Sequence, residues 1–68
     1  MILVNELRGK IVAKGLTQAE LAKMIGMSSK TFSLRLKKGV FGSDEIEQMI
    51  KILDIENPAR IFFADKVT

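Results

Sequence analysis

Between Gln18 and Phe32 the chain reads QAELAKMIGMSSKTF. An apolar series at helical spacing, Leu21, Met24 and Ile25, stops at Gly26, and Ser28 opens a second helical pattern two residues later. So short a join leaves no room for a loop. The two helices must meet at a corner and bury their inner faces against each other. Numbered from Gln18, the fifth residue, Ala22, falls where the helices cross, so its side chain must be small. The ninth, Gly26, turns the chain through a left-handed conformation without strain. Leu21, Ile25, Met27 and Phe32, at the fourth, eighth, tenth and fifteenth places, supply the buried faces.

Local signals bracket both helices. Thr17 and Glu20 form a T-x-x-E capping box, and Leu16 and Leu21 stand at staple spacing around it. Ser28 is the next N-cap, flanked by Met27 and Phe32 at the same spacing. Phe32 and Leu36 then stack at i, i+4, and Gly39 is the stop. The apolar stripe of this third helix is thin. The rest of its surface is Ser29, Lys30, Thr31, Ser33, Leu34, Arg35, Lys37 and Lys38, so it docks on one side only.

The flanks are helical too. Leu3, Leu7 and Ile11 recur at i, i+4 in a first segment from about Ile2 to Lys14, with Val4 and Val12 widening the stripe and Gly15 ending it. Gly9 weakens this helix, and close approach of a neighbouring helix is the expected reason. Ile46, Met49, Ile50 and Leu53 mark a fourth helix from roughly Asp44 to Leu53. Gly42 is its expected cap, Glu45 its third residue, and Phe41 and Ile46 its staple. Asp44, Glu45 and Glu47 lie in the first turn, where the helix dipole favours acids. Asn57 and Pro58 open a last short helix carrying Ala59 to about Phe63, with a loose tail beyond. Strands at Val40–Gly42 or Ile61–Ala64 are the minor alternatives. The expected fold is an all-α compact bundle of about five short helices with a helix-turn-helix at helices 2 and 3, one domain over residues 1–68.

A 68-residue chain sits near the lower limit for a stand-alone core. With no Cys it has no disulfide or thiolate metal site, so close helix packing or a partner chain must supplement that core. No apolar run approaches the roughly 18 residues of a membrane span. MILVNELRGK shows neither a basic leader nor a cleavage site, so a cytoplasmic location is expected. Net charge is +3, and its distribution says more. Residues 27–40 hold Lys30, Arg35, Lys37 and Lys38 without an acid, whereas residues 41–57 hold Asp44, Glu45, Glu47, Asp54 and Glu56 against Lys51 alone. A concentrated basic segment suits a polyanion, and a phosphate backbone is the commonest. Catalysis at neutral pH usually needs a His, a Cys or a pocketed carboxylate pair. The chain has no His or Cys and no metal-ligand or phosphate-loop spacing. No enzyme activity, cofactor, metal or small-molecule ligand is expected.

LTQAELAKMIGMSSKTF resembles the lambda-repressor-like helix-turn-helix family of phage and bacterial regulators, also called XRE-type. The longer run from LRGKIVAKG to EIEQMIKILDI resembles the short phage-type regulators of Gram-positive bacteria. Those share an L-R-G first helix, a Phe before the fourth helix, an E-I pair and a closing IFF. The resemblance implies a sequence-specific double-stranded DNA-binding protein, a transcriptional regulator or repressor. It departs from the family pattern at the eighteenth place of the corner, usually apolar and here Arg35, where Leu36 serves as anchor one residue later. Gly42 also stands where a Ser or Thr cap is expected.

On this reading the third helix enters the major groove and the second crosses the backbone. The N-termini of both helices present N–H groups to phosphates. The resemblance maps base contacts to Ser29, Lys30 and Leu34, with Ser33 beside them. Lys30 can donate to guanine O6 and N7, and Leu34 can meet a thymine methyl. Thr17, Gln18, Thr31, Arg35, Lys37 and Lys38 are the candidate backbone contacts. Each has a plainer reading: Lys30 solvated, Leu34 a stray surface residue, Gln18 a helix-start residue. Arg35 has two equal readings, DNA contact or an ion pair with an acid on the fourth helix. Specificity usually needs a dimer spanning two half-sites, and Ile61, Phe62, Phe63 and Val67 are the interface candidates. One Phe is expected inward and the other partly exposed. The alternative function is a helix-turn-helix used as a protein-interaction module, antirepressor- or antitoxin-like, or as a recombination accessory factor.

Overall fold

A computed structural model describes residues 2–63 of the chain. Five helices follow one another: α1 (Val4–Ala13), α2 (Gln18–Met24), α3 (Ser29–Lys38), α4 (Ser43–Leu53) and α5 (Pro58–Phe62). The described residues contain no strand. Val40–Gly42 is an irregular connection and Ile61 and Phe62 lie in α5, which disposes of both strand alternatives. α2 and α3 pack most extensively on each other, and α1 packs on α2 and α5.

The capping chemistry sets the helix ends. Thr17 Oγ1 accepts from Glu20 N–H at 3.1 Å, and Glu20 Oε1 accepts from Thr17 N–H at 2.9 Å, so the capping box closes in both directions. Ser28 Oγ accepts from Thr31 N–H at 3.1 Å. Asn57 Oδ1 accepts from Arg60 N–H with Pro58 at the first helical place. Gly42 has no side chain, so α4 is capped from the other side alone, by Glu45 Oε1 accepting from Gly42 N–H at 2.8 Å.

The first four helices all end in the same way. A left-handed residue follows the last turn, and the next N–H reaches back to the carbonyl five residues earlier: Leu16 to Ile11, Met27 to Ala22, Val40 to Arg35 and Ile55 to Ile50. Three of these turns use the expected glycines, while the fourth uses Asp54 at φ 53°. An aspartate tolerates that conformation better than most residues, at some cost. At the corner itself Gly26 has φ 83°, the conformation the tight join required.

The core runs through all five helices. Leu7, Ile11, Leu21, Phe32, Met49 and Leu53 are the largest fully buried side chains, and Ala22 is fully buried too. Leu16, Met27 and Ile46 pack against this cluster, as their staple spacing requires. Phe41 is buried and its ring lies 5.4 Å from that of Phe32 at 52°, tying the α3–α4 connection to the corner.

Four expectations fail. Val12, expected to widen the α1 stripe, and Met24, expected in the α2 stripe, are 73% and 53% exposed, because the buried faces of these short helices are filled by Leu7 and Ile11 and by Leu21 and Ala22. α1 begins at Val4 rather than Ile2, because Leu3 has no cap-forming side chain and its N–H is taken by Ile61 O at 2.8 Å. Gly9 makes no close helix contact: a Cβ at that position would meet nothing within 4 Å. It lies exposed beside a groove of about 490 Å³ whose lining also includes Glu6, Lys10, Asn57 and Arg60. No described helix is long and apolar enough to cross a membrane.

Candidate nucleic-acid interface

The site is built on α3. Only Phe32 and Leu36 of this helix are buried, at 0% and 2% exposure, so Leu36 is the second anchor. At about 100° per residue, Lys30, Leu34 and Lys37 then fall on the opposite side, at i, i+4 and i+7. All three are exposed, and Leu34 keeps 51% of its surface in solvent although it is apolar. Ser29, Ser33 and Lys38 are exposed beside them. Six of the ten α3 residues thus form a basic, hydroxyl-bearing surface with one aliphatic side chain in it.

The candidate backbone contacts divide into two places. Thr17 and Gln18 sit at the start of α2, separated from the corner by the length of that helix, about 10 Å. Thr17 is exposed and Gln18 half-buried. The Thr17 hydroxyl oxygen is engaged as a cap, which leaves its own proton to donate elsewhere. Thr31 and Arg35 lie along one edge of α3 and are half-buried, with Lys38 one turn further on. Thr31 Oγ1 accepts from Ser28 Oγ at 2.9 Å.

Arg35 forms the ion pair of its second reading. Its Nη1 donates to Glu45 Oε1 at 2.5 Å, across the connection to α4. The Arg35 side chain is 41% exposed and the Glu45 side chain 21%. The same carboxylate oxygen already caps Gly42, so one atom joins the side of α3 to the start of α4. An acid on the fourth helix was foreseeable, but Glu45 in particular was not. Its signal was the pairing of a glycine cap with a Glu at the third helical place, which leaves a carboxylate oriented by backbone and able to accept a second bond.

The closing apolar cluster splits. Ile61 and Phe62 are buried in the chain's own core at 4% and 3% exposure, so neither is available to an interface without unfolding α5. Phe63 is 44% exposed. Val67 lies outside the described residues. One unforeseen pair holds α5 to α1: Arg60 donates from Nη2 and Nε to the two Glu6 carboxylate oxygens at 2.6 and 3.2 Å. Residues so far apart in sequence carry no local signal for such a pair.

A family model matches residues 4–65, nearly the whole chain. The chain belongs to DUF739, a family of proteins of unknown function. The DUF739 match takes in all five helices, and with them the corner, the α3 surface and the Arg35–Glu45 pair. No curated protein and no solved structure matches the chain.

Proposed function

We propose that this chain binds double-stranded DNA sequence-specifically, with α3 in the major groove, and acts as a phage- or prophage-type transcriptional repressor. The observation that carries the reading is the exposed Lys30–Leu34–Lys37 line on a helix whose buried residues are Phe32 and Leu36. A helix anchored on one narrow edge at the end of a tight corner can enter a groove with its outer face intact. The resemblance of residues 16–32 to the lambda-repressor-like family supports the same assignment.

In this reading Ser29, Lys30, Ser33 and Leu34 meet base edges. Lys30 supplies the strongest discrimination through guanine O6 and N7, and Leu34 favours a thymine methyl. Thr17, Gln18, Thr31, Lys37 and Lys38 engage phosphates, which give affinity and salt dependence but no direct sequence reading. One such helix spans few base pairs, so the functional form is proposed to be a homodimer, with exposed Phe63 as the described residue offered to it.

The test is fluorescence anisotropy with a labelled duplex from upstream of the protein's own coding sequence and a scrambled duplex, across salt concentrations. The native duplex is expected to bind more tightly, with affinity falling steeply as salt rises. Lys30→Ala should narrow the gap between the two duplexes by about 1–3 kcal/mol. Absence of binding to either duplex at low salt would sink the DNA reading and point to a protein partner.

A further inference from the structure

The basic edge of α3 contains one cation that is already spoken for. Thr31, Arg35 and Lys38 succeed one another along that edge at i, i+4 and i+7, so they are neighbours on one side of the helix. Lys38 is exposed, whereas Arg35 is bonded to Glu45. We propose that Glu45 is a specificity-determining positioning residue: it withholds Arg35 from DNA phosphates, so that binding depends more on base contacts and less on backbone charge. The inference rests on the reading of α3 as a groove-entering helix.

Three features make Glu45 a strong competitor for Arg35. Its Oε1 is held by the Gly42 N–H at 2.8 Å, so the carboxylate is oriented before Arg35 arrives and costs little further ordering. It is the more buried member of the pair, so release of Arg35 would strand a partly desolvated carboxylate. The stranded charge would also lie against the approaching polyanion. A guanidinium offered to a phosphate must therefore overcome both the bond it leaves and the repulsion it uncovers. Among the described residues Glu45 pairs with Arg35 and with none of Lys30, Lys37 and Lys38, which are exposed on the same helix.

The bond has a second consequence. It ties the side of α3 to the first turn of α4, which resists rotation of α3 about its own axis. That rotation is what determines whether Lys30 and Leu34 face outward together. Glu45 thus keeps one cation out of the nonspecific interaction and the base-facing line in register.

The experiment measures affinity for a mixed-sequence duplex by anisotropy over a salt series, for wild type, Arg35→Ala, Glu45→Gln, Glu45→Ala and the Arg35→Ala, Glu45→Gln double variant. Gln keeps a carbonyl oxygen that can cap Gly42, and far-UV circular dichroism verifies that each variant is folded. Arg35→Ala is expected to leave the salt slope unchanged. Glu45→Gln should steepen it by about 0.9, one phosphate contact, so that each fourfold rise in salt weakens binding about 3.5-fold more than in wild type. The double variant should return to the wild-type slope.

A slope that flattens by about 0.9 in Arg35→Ala and in the double variant alike would show that Arg35 already touches a phosphate, and would overturn the proposal. So would an unchanged slope in both Glu45→Gln and Glu45→Ala, the second of which leaves no side-chain oxygen to hold Arg35. An increase that persists in the double variant would assign it to the lost negative charge and overturn the proposal as well. If wild type binds no duplex at low salt, the DNA reading itself fails and takes the proposal with it, an outcome distinct from the other three.

Discussion

The Arg35–Glu45–Gly42 junction makes a stability prediction independent of any ligand. Glu45→Ala removes two interactions from one oxygen. The bond from Gly42 N–H is a helix-start interaction, worth about 1 kcal/mol. The bond from Arg35 is charge-assisted, which would place it near 1.5–3 kcal/mol if dry, but with 41% of the Arg35 side chain exposed about 1 kcal/mol is appropriate. Glu45→Ala should therefore cost about 2 kcal/mol and Arg35→Ala about 1 kcal/mol. Because the shared bond is lost only once, the double variant should cost about 2 kcal/mol, leaving a coupling of about 1 kcal/mol. A chain of 68 residues has a total stability of roughly 3–10 kcal/mol, so these losses are large enough to resolve. Urea unfolding followed by far-UV circular dichroism measures all four proteins. Glu45→Ala should also lower Tm by about 8–16 °C. A coupling below about 0.3 kcal/mol would mean that the pair contributes nothing in solution, and the account of the α3–α4 junction would be wrong.

The glycines separate space from backbone conformation. Gly9→Ala should stabilise the protein by about 0.5–1 kcal/mol in the same urea assay, because a Cβ there meets nothing within 4 Å and the helix gains propensity. Gly26→Ala has equally open surroundings, yet φ 83° should make it destabilising by about 1–2 kcal/mol. Asp54→Gly should raise stability by about 0.5 kcal/mol by relieving a left-handed residue at φ 53°. The Lys14–Asp54 contact it removes spans 3.9 Å with Asp54 86% exposed, too weak to reverse that sign. Phe32→Ala, at a fully buried side chain touching the Phe41 ring, should cost about 3–5 kcal/mol, and thermal unfolding should lose most of its cooperative transition.

Most beginnings and ends of the helices were written in the sequence; the start of α1 and the turn at Asp54 were not. The Thr17–Glu20 box, the Ser28 and Asn57 caps, the glycine stops and the staple residues all act between groups three to five places apart, so the chain's own connectivity brings them together. The same locality made the corner legible, because two residues between helices permit few geometries. Asp54 escaped notice because an aspartate after a helix has several ordinary uses, and only its φ reveals this one.

Which neighbour each helix presents to the next was decided by tertiary structure. A one-residue change of anchor, from the eighteenth place to Leu36, moves that anchor about 100° round the helix and, with Phe32 kept, turns the buried face by about 50°; local rules define phase within a helix but not the partner opposite. So the sequence could leave Arg35 between DNA and an acid, and packing chose Glu45. It could require one inward Phe, and packing chose Phe62 over Phe63. It offered a close approach at Gly9, and packing left that side open. The Glu6–Arg60 pair and the Leu3–Ile61 bond join the two ends of the described chain. Such contacts exist only once every intervening turn has been made, which is why no local pattern announces them.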